Sequence, residues 1–596
     1  MARGFSVTGQ QALSLALALF TATGVVSASN CSKCKCTPQD PCWPSNSEWQ
    51  ELNNTISGQL IASQPIAQSC YPGPAEDETQ CSLVSSSWAD VGFQIESPIG
   101  YPQPFDEIAC APVNVTAGEV PQGECTLGDA PVFTVNATSA DHVAAGIAFA
   151  KKHGIRLVLR DTGHDFLGRS SGYGSLQIWI RYLRTGIDFH ETFAQPGSSW
   201  NGSAFTISGG YEWIDVYEEA AKRDVIVVGG VSPTVGCIGG WMQGGGHGPA
   251  THKFGLGSDQ VLEAKVVLAN GTLVTTSPTE YPDLFFALRG GGPSSYGVIV
   301  QATVKAWPTT PVVAQSVLMS TETPQGRIDF MSALQDIYAG ATNVSKAHWG
   351  GYGDWIASEA ITYYSHTWTN FDLDLADAQT AFAPLAAKLE ARNSSELYIT
   401  ISYTQHATYA EFYHTYHQDE GATGGLMQIA SRFFDAKALA RGEALAEMLN
   451  TTAVAPPPAQ LAINTLEVYG SPFGAVGQDG SAANPAFRNA IANMNTYLTY
   501  DDATPAGQVQ GLIDVINAKE EALKALAPDT GSYGNVANIY NAEWKRDFFG
   551  DVYEELLDVK AKYDPLSIFY CRTCVGSDAW EEDEDGRLCT VSAEGK

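Results

Sequence analysis

Basic residues are scarce in this chain. Its 596 residues hold 33 Lys and Arg against 65 Asp and Glu, a formal net charge of −32. A surface so short of cations repels nucleic-acid phosphates and anionic lipid headgroups, so neither is expected as a partner. Past the first residues no stretch reaches the ~18 uninterrupted apolar residues of a membrane helix. No G-x-x-x-x-G-K-[ST] loop and no internal repeat occur, which removes the Walker phosphate site and the solenoid folds. What remains is a globular composition, 44% hydrophobic and 16% charged. The length suits two or three domains, each with its own core.

The first 28 residues read as an address. Arg3 starts them, Ala12 to Phe20 is apolar but too short to span a bilayer, and Val26-Ser27-Ala28 offers a small-residue cleavage site. A signal peptide over 1–28 is expected, and with it secretion to the extracellular space. All 12 cysteines follow it. The cluster "CSKCKCTPQDPC" has no histidine near it, so disulfides are expected rather than a metal, with pairing left open. Nine Asn-X-Ser/Thr sequons spread from Asn30 to Asn450 fit a glycoprotein.

The texture then changes along the chain. Residues 29–128 are loop-rich and cysteine-bearing, a stapled lead-in. Residues 129–310 alternate helix and strand: Asp141 to His153 predicts a helix with Ser139 as N-cap, and Ile155 to Arg160 a buried strand. "FTISGG", "DVIVVGG", "VLEAKVVLANG" and "YGVIVQATVKAWP" are further expected strands. Residues 311–528 combine Tyr-rich strands, "AITYYS", "LYITISYT" and "LAINTLEVYG", with helices. One helix is expected over Asp374 to Ala391, kinked or broken at Pro384, and one over Ala436 to Leu449. Residues 529–596 end in an acidic tail whose "EEDED" reads as a solvated end.

Two glycine-rich stretches carry the chemistry. "LRDTGHDFLGRSSGYGS" sets a histidine, His164, between turns. "GGVSPTVGCIGGWMQGGGHG", Gly229 to Gly248, holds nine glycines in twenty residues. Glycine at that density suits backbone laid against a flat or charged ligand with amide N–H groups turned toward it. The run is not a strand-then-helix G-x-G-x-x-G, so a Rossmann site is not supported. Val235, Trp241 and Met242 are apolar residues that a solvated linker would not need.

These two runs, together with "PDLFFALRGGGPSSYGVIV" and "FFGDVYEELLDVKAKYDPLSIF", resemble the fungal secreted FAD-linked oxidases of the vanillyl-alcohol oxidase superfamily, berberine-bridge-enzyme-like group. The resemblance covers nearly the whole mature chain. It implies an α+β fold: a two-part FAD-binding domain of the PCMH type, built from the N-terminal half and the C-terminal end. An inserted substrate domain would roof the flavin with an antiparallel sheet covered by helices.

It also implies residue roles. His164 falls where relatives join a histidine to the 8α-methyl of FAD, chemistry that suits a neutral imidazole. Arg160, Asp161, Thr162 and Gly163 would face the phosphates, helped by Ser170 or Ser171. Gly240, Gly245, His247, Gly255, Val298, Tyr533 and Asn535 complete the expected cofactor site. Many relatives carry a second flavin bond from a cysteine where this chain has Ser232, and a serine hydroxyl is too weak a nucleophile to make it. A single link through His164 is therefore expected, with Cys237 a small buried residue.

The proton acceptor is the open question. Relatives often take it from the second tyrosine of Y-x-N-Y, and here "YGNV" puts Val536 there. The candidates are Tyr363, Tyr403, Tyr469, Glu467 and His247, with Glu467 and Tyr469 on one face of their strand. In the resemblance the residue after S/C-P-T controls oxygen access, and Val235 leaves it open. The expected function is oxidation of a small alcohol, phenol or secondary metabolite with O2 as acceptor, by a monomer. A carbohydrate oxidase and a flavin-binding protein with little turnover stand as alternatives.

Overall fold

The computed structural model describes residues 31–102, 108–121, 123–417, 421, 423–469, 480–502 and 504–591. The expected signal peptide and the sequon at Asn30 lie outside the described residues. The helix Ala140–His153 begins at Ser139, whose side chain accepts the His142 N–H, and ends on Gly154 in the left-handed region. Val143, Ile147 and Ala150 make its buried stripe. It connects the parallel strands of a four-stranded sheet in which Phe133–Asn136 and Leu157–Arg160 flank Leu176–Trp179. That crossover brings the end of the strand at Arg160 out into the His164 loop.

A five-stranded antiparallel sheet follows, in the order Leu273–Thr276, Val261–Val267, Val298–Lys305, Asn201–Ser208, Ile187–Ala194. Of "DVIVVGG" only Val225–Ile226 forms a strand, paired with Trp307–Pro308 outside that sheet, before the chain enters the glycine loop. The third large element is a seven-stranded antiparallel sheet whose central strands are Thr362–Asn370, Gly350–Ala357 and Leu461–Val468. One face is covered by the helices Pro324–Lys346, Leu375–Glu390, Gly442–Ala453 and Ala506–Leu526. Its core includes Trp355, Tyr364, Trp368, Leu466 and Met494. The other face stays polar and overlooks the glycine loops.

Two helices differ from expectation. Leu375–Glu390 runs unbroken through Pro384. The proline ring and Thr380, whose carbonyl loses its partner, are both exposed, so water can take the orphaned group. The helix expected over Ala436 to Leu449 splits into Ala436–Leu439 and Gly442–Ala453. Arg441 leaves helical geometry there, and its Nη1 donates to the carbonyls of Ala525 and Leu526 at 2.6 and 2.7 Å, closing the end of a neighbouring helix.

The C-terminal segment returns to the first half: Tyr553–Tyr563 lies against Pro282–Leu288. Disulfides Cys34–Cys589, Cys36–Cys42, Cys70–Cys81, Cys110–Cys125 and Cys571–Cys574 staple the lead-in and join the two ends of the chain. Cys237 is a free, buried cysteine. Residues 581–582 of the acidic tail are not a loose end, since they belong to the short strand Trp580–Glu582, where Glu582 holds Arg156 and Arg572.

Candidate active site

Between the glycine loops and the polar face of the large sheet lies a cavity of about 770 Å³. Its floor begins with Arg160, at the end of a buried strand. The guanidinium is buried and, among the described residues, its sole hydrogen bond is a weak one from Nη2 to the Thr162 carbonyl at 3.4 Å. It has no carboxylate partner among the described residues, and burial lowers its pKa to about 10. A buried cation without an anion is costly, so the cavity suits an anionic ligand at this point. The guanidinium lies across Gly163, where a Cβ would meet Cζ at 2.4 Å. Glycine at φ +94° therefore answers both the turn and the close approach.

His164 follows on the loop, and its Nε2 lies 2.7 Å from Oγ1 of Thr234 in "SPTVG". The two loops are tied again by the Gly236 N–H, which donates to Oγ1 of Thr162 at 3.1 Å. Between them sits the Asp161 carboxyl, wedged against Gly236, where a Cβ would meet Oδ2 at 2.3 Å. Both its oxygens are buried without a partner among the described residues, and burial raises its pKa to about 7, with Arg181 opposing and Glu212 adding. The thiol of Cys237 next to it is pushed well up, first by burial and then by Asp161. It is inert, as expected of a small core residue.

The glycine run closes the far wall. Gly244 leaves room for Asn535, whose amide nitrogen would lie 2.2 Å from a Cβ there. Asn535 in turn donates to the Gly240 carbonyl and to the Tyr533 hydroxyl, both at 2.9 Å, and accepts from Arg169 at 3.1 Å. This fixes the C-terminal "YGNV" against the first half of the chain. Val536 lines the cavity and has no proton to exchange.

The roof holds the acids. Glu467, on Leu461–Val468, accepts from the Tyr469 hydroxyl at 2.8 Å and from the amides of Asn493 and Asn495 at 3.0 Å each. His247 reaches up from the glycine loop, with Nε2 3.5 Å from Glu467 and Nδ1 3.0 Å from the Tyr352 hydroxyl. Burial lowers the His247 pKa, and Glu467 opposes that in part. The imidazole is neutral at neutral pH. Asp354, two residues along the strand from Tyr352, accepts from Tyr363 at 2.5 Å, and burial raises its pKa.

Most of the residues named from the sequence meet here: Arg160, Asp161, Thr162, Gly163, His164, Ser170, Ser232, Val235, Gly240, His247, Val298, Glu467, Tyr533 and Asn535 all line the cavity. Five do not. Ser171 is spent in a turn, its N–H on the Gly168 carbonyl. Gly245 packs behind the wall against Phe487, and Gly255 ends the short helix Thr251–Phe254 at φ +92°. Tyr403 faces the helices and takes its hydrogen bond from Gln315 at 2.9 Å. Tyr469 is buried among rings and lies behind the cavity wall, against Glu467 and the His247 ring, whose centroid is 5.1 Å from its own. Tyr363, also weighed as a base, is behind Asp354. Sequence reasoning missed Tyr352, Asp354, Thr465, Tyr497 and Arg169, which line the cavity too. Alternating polar residues in "TLE" and "YGD" are the signal that could have found the first three.

Residues 131–277 match a family model described as FAD binding domain, and residues 532–576 match one described as berberine and berberine like. The FAD-linked oxidoreductase apf9 of Gibberella fujikuroi is 37% identical over 574 residues, which cover 93% of this chain and 96% of that protein. The VAO-type flavoprotein oxidase VAO615 of Thermothelomyces thermophilus is 30% identical over 598 residues, 96% and 97% of the two chains. Among solved structures, the VAO-type flavoprotein MtVAO713 of Myceliophthora thermophila shares 38% identity at a TM-score of 0.89, covering 94% of this chain and 100% of that one. Fold and site thus define a flavin-dependent oxidoreductase, α+β, with an FAD-binding part and a large antiparallel sheet above it. The chain belongs to the VAO-type, berberine-like family of FAD-linked oxidoreductases. Its residues fit that cofactor: Arg160, buried without a carboxylate partner among the described residues, and the glycine-lined loops meet the needs of a diphosphate.

Proposed function

We propose that this protein is a secreted oxidase that removes a hydride and a proton from a small alcohol, phenol or secondary metabolite. FAD supplies the hydride acceptor that O2 regenerates with release of hydrogen peroxide. His164 holds the cofactor by one covalent bond, since Ser232 stands where a second would need a thiolate and Cys237 is buried away from the cavity. Thr234 fixes the imidazole through Nε2.

The observation that carries the reading is the pairing of His164 on the floor with the His247–Glu467 pair on the opposite wall of one cavity. A neutral imidazole beside a carboxylate accepts a proton and keeps the resulting charge paired. Arg169 holds Asp165 and Asn535, so it is not available to bind substrate anions. A cavity of about 770 Å³ that must also receive a flavin suits a small substrate better than a sugar chain. Five disulfides among the described residues and the apolar start of the sequence support secretion.

The test is bleaching of the yellow holoenzyme in anaerobic buffer, with alcohols, phenols and oligosaccharides added as separate panels. Bleaching by the first two, followed by recovery of colour and stoichiometric peroxide on admitting air, supports the reading. Bleaching by oligosaccharides alone, or by nothing in the panels, defeats it.

A further inference from the structure

We propose that Tyr352 is the catalytic residue that receives the substrate's hydroxyl proton, passing its own phenolic proton to His247 as it does so. The inference deepens the proposed oxidation and rests on it for the identity of the reaction. It stands on a chain of contacts that no sequence motif announces.

Tyr352 lies on Gly350–Ala357, directly opposite Glu467 in the antiparallel register. Its ring is half-buried and lines the cavity, and it lies nearly parallel to the His247 imidazole, 7° apart with centroids at 5.8 Å. The partners assign the protons. The Glu467 oxygens already accept from three donors and lie 3.5 Å from Nε2 of His247, an arrangement that favours the hydrogen on Nε2. Nδ1 is then the acceptor, and the Tyr352 hydroxyl at 3.0 Å is its donor. Three donors, Tyr469, Asn493 and Asn495, hold Glu467 in place, so the carboxylate cannot swing away. The other titratable groups facing the Tyr352 phenol are Tyr409, Tyr469 and Tyr533, all phenols, and its burial disfavours the phenolate. The phenol therefore does not act as a stored anion. It passes its proton on as it receives one.

The balance closes. The substrate C–H leaves as a hydride with its electron pair, taken by the acceptor of the proposed reaction. The O–H bond breaks, its proton goes to Tyr352 Oη, and the Tyr352 proton goes to His247 Nδ1. The imidazolium so formed faces Glu467, and it returns its proton when oxygen is reduced to peroxide, which requires two. Val536 lines the same cavity and has no proton to offer.

The first experiment is independent of any substrate. In holoenzyme labelled with [15N]histidine, the His247 signals, identified by their loss in His247→Asn, should show a protonated Nε2 and a bare, hydrogen-bonded Nδ1 at neutral pH. Tyr352→Phe should move Nδ1 toward its unbonded value and leave Nε2 nearly fixed. A proton on Nδ1 overturns the proposal, because Tyr352 would then be an acceptor with nowhere to send a proton. The second uses 4-hydroxybenzyl alcohol. Tyr352→Phe should slow anaerobic bleaching by about 100-fold or more, with flavin content unchanged. The Tyr352→Phe/His247→Asn double variant should be no slower than the worse single one, as for residues that act as a unit. A Tyr352→Phe rate within about threefold of wild type overturns the proposal, whereas general acid–base roles are worth far more. If wild type is not bleached by this alcohol, the proposed substrate class fails, and the histidine spectrum still judges the relay.

Discussion

The Thr234 hydroxyl lies 2.7 Å from Nε2 of His164, joining two loops 70 residues apart in sequence. That contact fixes which face of the imidazole turns into the cavity, which is what a covalent bond to a flavin would require. Wild-type protein precipitated with acid should keep its yellow colour in the pellet, and His164→Ala should release it to the supernatant. Thr234→Val should leave a several-fold smaller covalent fraction, read as pellet over total flavin. A peptide map should find flavin on the His164 peptide and on none containing Ser232 or Cys237. A flavinylated Cys237 peptide would remove the single-link reading.

Arg432 and Asp547 form a fully buried ion pair at 3.0 Å that ties the large sheet to the berberine-like segment. Arg432 also donates to the carbonyls of Ala527, Pro528 and Thr530. Removing one partner leaves the other charge stranded, a loss of about 3–5 kcal/mol. Asp547→Ala should therefore lower Tm markedly, measured by the loss of near-ultraviolet circular dichroism on heating. A Tm within a degree of wild type would show that the pair holds nothing.

Asp161 should make the protein lose stability as pH rises. Its pKa is about 7 in the fold, raised first by burial, against 3.8 for a free carboxyl. Between those values the folded state keeps a proton that the unfolded chain releases, so stability falls with increasing pH, by about 1.4 kcal/mol for each unit of difference. Asp161→Asn keeps the shape and removes the titration. The variant's Tm should match wild type near pH 4 and exceed it at pH 8. An equal gap at both values would show that the carboxyl is not protonated in the fold.

The floor of the site was legible because its chemistry is local. "RDTGHD" and the glycine run name their own turns, and Ser139, Ala140–His153 and Leu157–Arg160 follow from capping and periodicity. The roof was half hidden. Tyr352 and Asp354 stand in "GGYGDW", whose three glycines are poor strand formers and mask its alternating polar pattern. Yet the segment is a central strand, and Gly350 is small because His252 packs on it, with Nδ1 2.5 Å from where a Cβ would lie. Only the partner strands reveal that. Tyr403 misled for the converse reason: its strand alternates cleanly, but alternation does not say which face meets the helices. Arg441 broke a helix whose periodicity was intact, because its partners are carbonyls 84 and 85 residues away.

Val235 is the last test of the proposed oxidase, a reading in which it leaves oxygen a way to the cofactor. It lines the cavity and is half-buried, packed against the core that includes Trp213. Its carbonyl accepts the Trp213 N–H at 3.1 Å, which anchors the backbone and leaves the side chain as the variable part. A larger side chain there must project into the cavity or push the core aside. If it projects, Val235→Leu should slow reoxidation of photoreduced enzyme by more than about tenfold, a barrier change above ~1.4 kcal/mol. Flavin content and anaerobic reduction should stay nearly unchanged. If it pushes the core, the cost is overpacking of about 1–3 kcal/mol in stability, and both half-reactions should suffer alike. Stopped-flow mixing of reduced protein with air-saturated buffer separates the two, and for wild type a reoxidation lasting many minutes would mean that oxygen is not the acceptor.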